Sequence, residues 1–223
     1  ENGRLVLENL RSSNVGIDKV KVLDGIKTGI TLSLTYPKNK AQITFTGSID
    51  ALSASDVSPE LFHRYRHLHV SSIYLQRKLL ISLDKIFSEA ERQGLKISLD
   101  TNADPLDRYE YVGEILDHVD IFLPNDREAK EITRSASLKE ALQRLSSKVP
   151  VVAIKRGEKG AIGKCGRRIV KAEPIRINPV DTTGAGDSFD AGFLYYFMHR
   201  RKDFETSMSF ANALGALSCL YIG

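Results

Sequence analysis

The apolar positions along this chain change period more than once. Over residues 28–36 apolar and polar side chains alternate, and they alternate again over 41–46, with Pro37-Lys38-Asn39-Lys40 between. Alternation of period two marks a half-buried strand, and a polar link containing proline marks a turn. The stretch therefore predicts a hairpin with one wet face. Beyond it, short apolar runs at 68–73, 96–99, 119–123 and 151–155 alternate with segments of helical period at 77–93, 107–118, 125–133 and 138–148. Gly94 follows the first of these helices as a C-terminal cap. Pro150 stands where a strand start tolerates it. Such alternation predicts a mainly parallel sheet covered by helices. Residues 160–166 and 168–172 read as an antiparallel pair, and two helices follow at 184–200 and 204–221, the second with Asp203 as N-cap. No shift of composition marks a linker, so the expectation is one α/β domain over 1–223. The hairpin region, about 28–50, breaks the strand–helix rhythm and is the candidate lid.

Composition removes several function classes. Among 223 residues, 32 are Lys or Arg and 28 are Asp or Glu, a net charge of +4. That excess is too small to argue for nucleic acid without a concentrated basic face. Residues 62–69 interleave basic and aromatic side chains, and His67 and His69 would share one strand face. The segment is short and has no Cys or acidic partner at ligand spacing, which argues against an RNA or metal site. The run from His199 to Lys202 ends a predicted helix, where cations suit the dipole. Cys165 and Cys219 make no disulfide framework, which points to a reducing compartment and a cytoplasmic location. No apolar run reaches the roughly eighteen residues of a membrane span, so no membrane partner is expected. The start, Glu1-Asn2-Gly3-Arg4, carries neither an initiator Met nor a signal-peptide pattern, which predicts a trimmed or partial chain.

Candidate chemistry concentrates in Asp181-Thr182-Thr183-Gly184-Ala185-Gly186-Asp187-Ser188-Phe189. Two glycines around a small residue, opening a helix, expose backbone N–H groups where the helix dipole is positive, which makes an anion site. A carboxylate placed there, Asp187, would be repelled by a bound phosphate unless it accepts a proton from an attacking hydroxyl. Taken alone, the pattern fits a glycine turn with a helix-stabilising Asp better than a catalytic site. A dinucleotide fingerprint is absent because Phe189 holds its third glycine position, and Glu158 stands where a P-loop before Gly163-Lys164 needs glycine. Asn125 and Glu128 are spaced as a capping box. Asp100 and Asn102 end a predicted parallel strand, the edge at which open α/β sheets bind ligands, though both also favour turns. Lys155 ends another strand and is either a phosphate contact or a solvated side chain.

Residues 181–189 together resemble the signature near the C-terminus of the ribokinase-like (PfkB-type) carbohydrate kinases. The similarity continues upstream in Pro124-Asn125-Asp126-Arg127-Glu128, in residues 152–160, and in Ser98-Leu99-Asp100-Thr101-Asn102, and it spans about Gly29 to Gly223. The resemblance implies a three-layer α/β/α fold with a mainly parallel sheet and a small β lid. It implies an ATP-dependent kinase that phosphorylates a hydroxyl of a sugar or sugar-like small molecule. Asp187 would be the catalytic base, also touching the substrate, and Gly184, Ala185 and Gly186 the anion hole. Asn125 and Glu128 would organise Mg2+ and the phosphates. Lys155, Gly157 and Asn212 would lie along the nucleotide, and Asp100 and Asn102 near the acceptor. Asp181 and Thr183 would help hold a monovalent cation such as K+. Where several sugar kinases of the family carry Arg two residues past that Asn, this chain has Asp104. A unit with a Gly-Gly motif normally precedes the matched part and a cation-binding loop with a last helix normally follows it, so the match is to the catalytic body. Family members often pair through the lid, so a homodimer is a further expectation. The alternatives are a nucleoside kinase on the same body and a nucleotide-binding module without catalysis.

Overall fold

The computed structural model describes residues 2–35 and 40–222. The turn expected over 37–40 lies outside the described residues for all but its last position. Helix α1 spans Asn2–Ser12 and buries none of its side chains. The expected hairpin follows as β1 (Ile30–Thr35) and β2 (Lys40–Phe45), paired antiparallel with Leu32 opposite Ile43. One face of this small sheet carries Ile30, Leu32, Ile43 and Phe45, all exposed. It is the separate two-stranded sheet that the lid reading expects.

The body is a six-stranded sheet in simple sequence order. After α2 (Pro59–Phe62) come β3 (His67–Ser71), α3 (Arg77–Leu80), α4 (Leu83–Arg92), β4 (Lys96–Asp100), α5 (Val112–Ile115) and β5 (Ile121–Phe122). Next are α6 (Asp126–Thr133), α7 (Leu138–Leu145), β6 (Val151–Lys155), β7 (Ala161–Cys165) and β8 (Arg168–Ala172). Helices α8 (Ala185–Leu194) and α9 (Phe204–Ser218) close the chain. Strands β3 to β6 are parallel, and β7 and β8 add antiparallel.

Alternate residues of the strands feed two separate cores. Ile97, Leu99, Phe122, Val152 and Ile154 pack with Leu83, Phe87, Ala129 and Leu145. Ile121, Leu123, Val151 and Ala153 pack on the opposite face with Phe189, Phe193, Phe204 and Met208. A strand that buries both faces reads as a continuous apolar run, which is why β6 is Val-Val-Ala-Ile. The result is the α/β/α sandwich the sequence anticipates.

Two expected helices come out differently. The helix expected over 77–93 is broken at Ile81 and Ser82 into α3 and α4. The helix expected over 107–118 is reduced to α5 and one 3-10 turn, Leu116–His118. The reason for the second lies in Asp104. Its buried carboxylate accepts from the N–H groups of Leu106, Arg108 and Tyr109, and Asp107, Tyr109 and Tyr111 take positive φ. A side chain that satisfies those amides locally removes the reason to form a helix.

Candidate active site

The C-terminal edge of the parallel strands gathers most of the residues in question. Asp100 ends β4. Asn125 follows β5 and pairs with Lys155 through a parallel bridge, reinforced by Lys155 N–H donating to Pro124 O at 2.9 Å. Three strand ends thus place Asp100, Asn125 and Lys155 at one edge, where ligands meet open α/β sheets.

Helix α8 brings the glycine loop to the same edge. Gly184 precedes it at φ 77°, ψ 0°, a left-handed position that glycine adopts without a Cβ penalty. No side chain caps this helix. Its first intrahelical bond is Ser188 N–H to Gly184 O at 2.8 Å; before it, Ala185 N–H reaches only the non-helical Thr182 O, at 3.3 Å. A Cβ built on Gly184 meets nothing within 4 Å, so the space beside this residue is open. Asp187 stands exposed in this first turn. A close approach of α9 supports it from behind. A Cβ at Gly215 would lie 3.0 Å from Ala185 O and 3.4 Å from Phe189 Cβ.

Asn125 and Glu128 do form a capping box on α6. Glu128 N–H donates to Asn125 Oδ1 at 2.9 Å, and Asn125 N–H donates to Glu128 Oε2 at 2.9 Å. Glu128 is buried, and burial outweighs these hydrogen bonds to push its carboxyl up to about 7. Oxygen donors of this kind at a sheet edge fit Mg2+, which takes one or two protein ligands and completes its shell with phosphates and water. The uncapped amides of α8 fit the phosphates.

Lys155 is not the solvated side chain that its position at a strand end allows. Its ammonium donates to Asp100 Oδ2 at 2.8 Å and to Asp190 Oδ1 and Oδ2 at 3.1 and 3.0 Å. Asp100 is therefore turned into the protein, 1% exposed. The two carboxylates raise the Lys155 ammonium above its ordinary value despite burial, and burial raises Asp190 well above its own. Asp190 escaped the reading of the sequence. Its signal is a carboxylate set between Phe189 and Phe193 on the apolar part of the helix, one turn past Asp187.

The other expected residues lie as follows. Asn102, at φ 53°, donates to Ser72 Oγ at 3.0 Å and so braces the end of β4 to the end of β3. Gly157 opens the 3-10 turn after β6, at φ 55° with open space around it. Asn212 on α9 donates to Glu173 O at 2.8 Å. Asp181 Oδ1 accepts from the N–H and Oγ1 of Thr183 at 2.9 and 2.8 Å. His67 and His69 share a face as expected, and both meet Ser98 Oγ, at 2.8 and 2.7 Å. Among the described residues, no group of three or more His, Cys, Asp or Glu could hold a metal ion. Among the same residues, no helix is long and apolar enough to cross a membrane.

Comparison with known proteins shows the family and the fold. The profile of the pfkB family carbohydrate kinases matches residues 1–223. An uncharacterized sugar kinase of Archaeoglobus fulgidus is 29% identical over 220 residues, covering 97% of this chain and 86% of that one. A cytidine kinase of Thermococcus kodakarensis is 32% identical over 200 residues, covering 82% of this chain and 66% of that one. The crystal structure of a putative ribokinase II from E. coli in complex with ATP and Mg2+ superposes with a TM-score of 0.89 at 24% identity, covering 99% of this chain and 74% of that one.

Proposed function

This chain belongs to the pfkB family of carbohydrate kinases, phosphotransferases with an alcohol acceptor, and we propose that it moves the γ-phosphoryl group of ATP to a hydroxyl of a sugar or sugar-like small molecule, with Asp187 as the base. The observation that carries this reading is the first turn of α8, with no side-chain cap at Gly184, its N-terminal amides and Asp187 standing together at the C-terminal edge of the sheet. The amides of Gly184, Ala185 and Gly186 are preorganised donors for the oxygens of the transferring group. Asp187 takes the proton of the acceptor hydroxyl as that oxygen bonds to phosphorus and the bond to the leaving phosphate oxygen breaks. Bound Mg2+ would supply charge neutralisation of the phosphates. Asn125 and Glu128 would hold it, Glu128 as the carboxylate form. Gly157 and Asn212 lie along the nucleotide in this reading, and Asn102 stands near the acceptor. Asp181 and Thr183 flank the anion hole and would hold K+, so turnover should rise when K+ replaces Na+. Two free cysteines, Cys165 and Cys219, accord with a cytoplasmic enzyme.

Nucleoside acceptors form a second reading, favoured by the 32% identity to a cytidine kinase. One experiment addresses both. ATP consumption is measured against a panel of sugars and nucleosides for wild type and Asp187→Asn, with ATP binding followed in parallel. The expected result is turnover with one acceptor class and a loss of about 10²- to 10⁴-fold in kcat for the variant, with ATP still bound. Equal rates in the two proteins would remove Asp187 as base. ATP binding without turnover on any acceptor would favour a non-catalytic nucleotide-binding module.

A further inference from the structure

Three buried ionisable groups at the site have no part in the chemistry just described. Lys155, Asp100 and Asp190 have side chains 13%, 1% and 4% exposed. They come from the ends of β6 and β4 and from the interior of α8. The lysine ammonium has three protons, and three carboxylate oxygens stand within 3.1 Å of it. No proton is left over to meet a phosphate. The side chain nevertheless runs directly beneath the anion hole. A Cβ built on Gly186 would lie 3.5 Å from Lys155 Nζ and 3.9 Å from Cε. Asp190 is one helical turn beyond Asp187.

Helix α8 is held to the sheet by Phe189 and Phe193, which are buried in the core on that face. That contact is apolar and non-directional. It keeps the helix on the sheet but leaves the rotation and height of its first turn loosely set. A buried, fully hydrogen-bonded charge cluster is directional, and its cost in desolvation is tolerated where it fixes geometry.

We propose that Lys155 is a positioning residue: by joining Asp190 on α8 to Asp100 on β4 it fixes the first turn of α8, and with it the Gly184–Gly186 amides and Asp187, against the sheet edge. The catalytic consequence rests on the kinase reading given above. The mechanical part does not. Lys155 acts through the helix and does not touch the nucleotide.

The test uses Asp190→Asn, which keeps the shape and the Lys155–Asp100 pair, Lys155→Met, which keeps the stem, and Lys155→Arg. Three quantities are followed: kcat with KM for ATP and acceptor, equilibrium ATP affinity, and amide hydrogen exchange across residues 181–193. For Asp190→Asn and Lys155→Met the expected result is a fall in kcat of about 10- to 100-fold, the scale of a small misplacement, with ATP affinity within about threefold of wild type. Exchange at 188–193, the amides bonded within α8 from Ser188 N–H onward, should accelerate by about tenfold while exchange in α4 and β4 stays unchanged. Lys155→Arg should recover part of kcat, since a guanidinium can still bridge two carboxylates. A drop of about tenfold or more in ATP affinity with unchanged exchange would overturn the proposal and make Lys155 a nucleotide ligand. Wild-type kcat and wild-type exchange in Asp190→Asn would overturn it as well. Should Lys155→Met not fold, Asp190→Asn alone decides. Should wild type turn over no acceptor, the kinase reading fails, and the exchange measurement still decides whether the cluster clamps the helix.

Discussion

Single residues at this site carry more than one physical role, and Asp104 shows how misleading a position can be. Several kinases of the family have arginine at this place, which invites a search for a substrate contact. Here the carboxylate is buried and spent on three backbone N–H groups of the loop that follows. Replacing it leaves those donors without an acceptor. Asp104→Ala is therefore expected to cost about 1–3 kcal/mol, read by urea denaturation. An Asp104→Ala protein as stable as wild type would show that water replaces the carboxylate there. Lys155 makes the same point from the other side. General frequency favours solvation for a strand-end lysine, and only the partners at Asp100 and Asp190 reveal the buried cluster.

At the scale of elements, the match between pattern and structure follows the source of each element's stability. Strand β6 is legible as a short apolar run behind Pro150, and β4 as an alternating Ile-Ser-Leu stretch after Gly94. Helices α6, α7 and α9 are legible because Asn125, Ser137 and Asp203 cap them through their side chains. The expected helix over 107–118 failed because a buried carboxylate outside it competes for its amides. That competition is local to residues 104–109 but has no period to detect. Packing between elements also fixes some residues. On β7, a Cβ at Gly163 would sit 2.6 Å from Val152 O and 2.7 Å from Phe204 Cζ of α9. Gly163→Ala must push α9 from the sheet or distort β6, and is expected to cost about 1–3 kcal/mol in thermal or chemical denaturation. Unchanged stability would mean that Phe204 swings aside without strain.

For the whole molecule, two predictions concern charge and surface. His67 is held down to about 4, chiefly by partial burial and secondarily by His69. The unfolded chain takes up that proton near 6.5 and the folded one only near 4, so this histidine weakens the fold as pH falls through that window. Glu128, raised to about 7 from 4.5, works in the opposite direction over nearly the same range. The total pH curve therefore blends both. The difference between His67→Gln and wild type isolates the first: the variant should gain stability relative to wild type as pH falls from 6.5 to 4. A pH-independent difference would show that His67 titrates normally. On the surface, Ile30, Leu32, Ile43 and Phe45 form one exposed apolar face of the small sheet. Such a face favours association. Sedimentation is expected to show a dimer in wild type and a monomer in Ile43→Asp, and a wild-type monomer at high concentration would refute pairing through this sheet.

The sequence alone settled the fold class, the order of the body's strands and helices, and the position of the glycine loop with Asp187. Those properties are local. They follow from periodicity, caps and short runs of residues whose spacing is fixed by the chain itself. Tertiary structure decided everything that depends on which side chain ends beside which. It turned Asp100 inward, drew Lys155 away from solvent, supplied Asp190 as its second partner, and melted the helix after Asp104. The Lys155 cluster balances the cost of burying charges against partners 35 and 55 residues away in sequence, while Asp104 meets amides close by in the chain but only once it is buried. No pattern along a chain encodes that balance, because it exists only once the strands have brought the partners together.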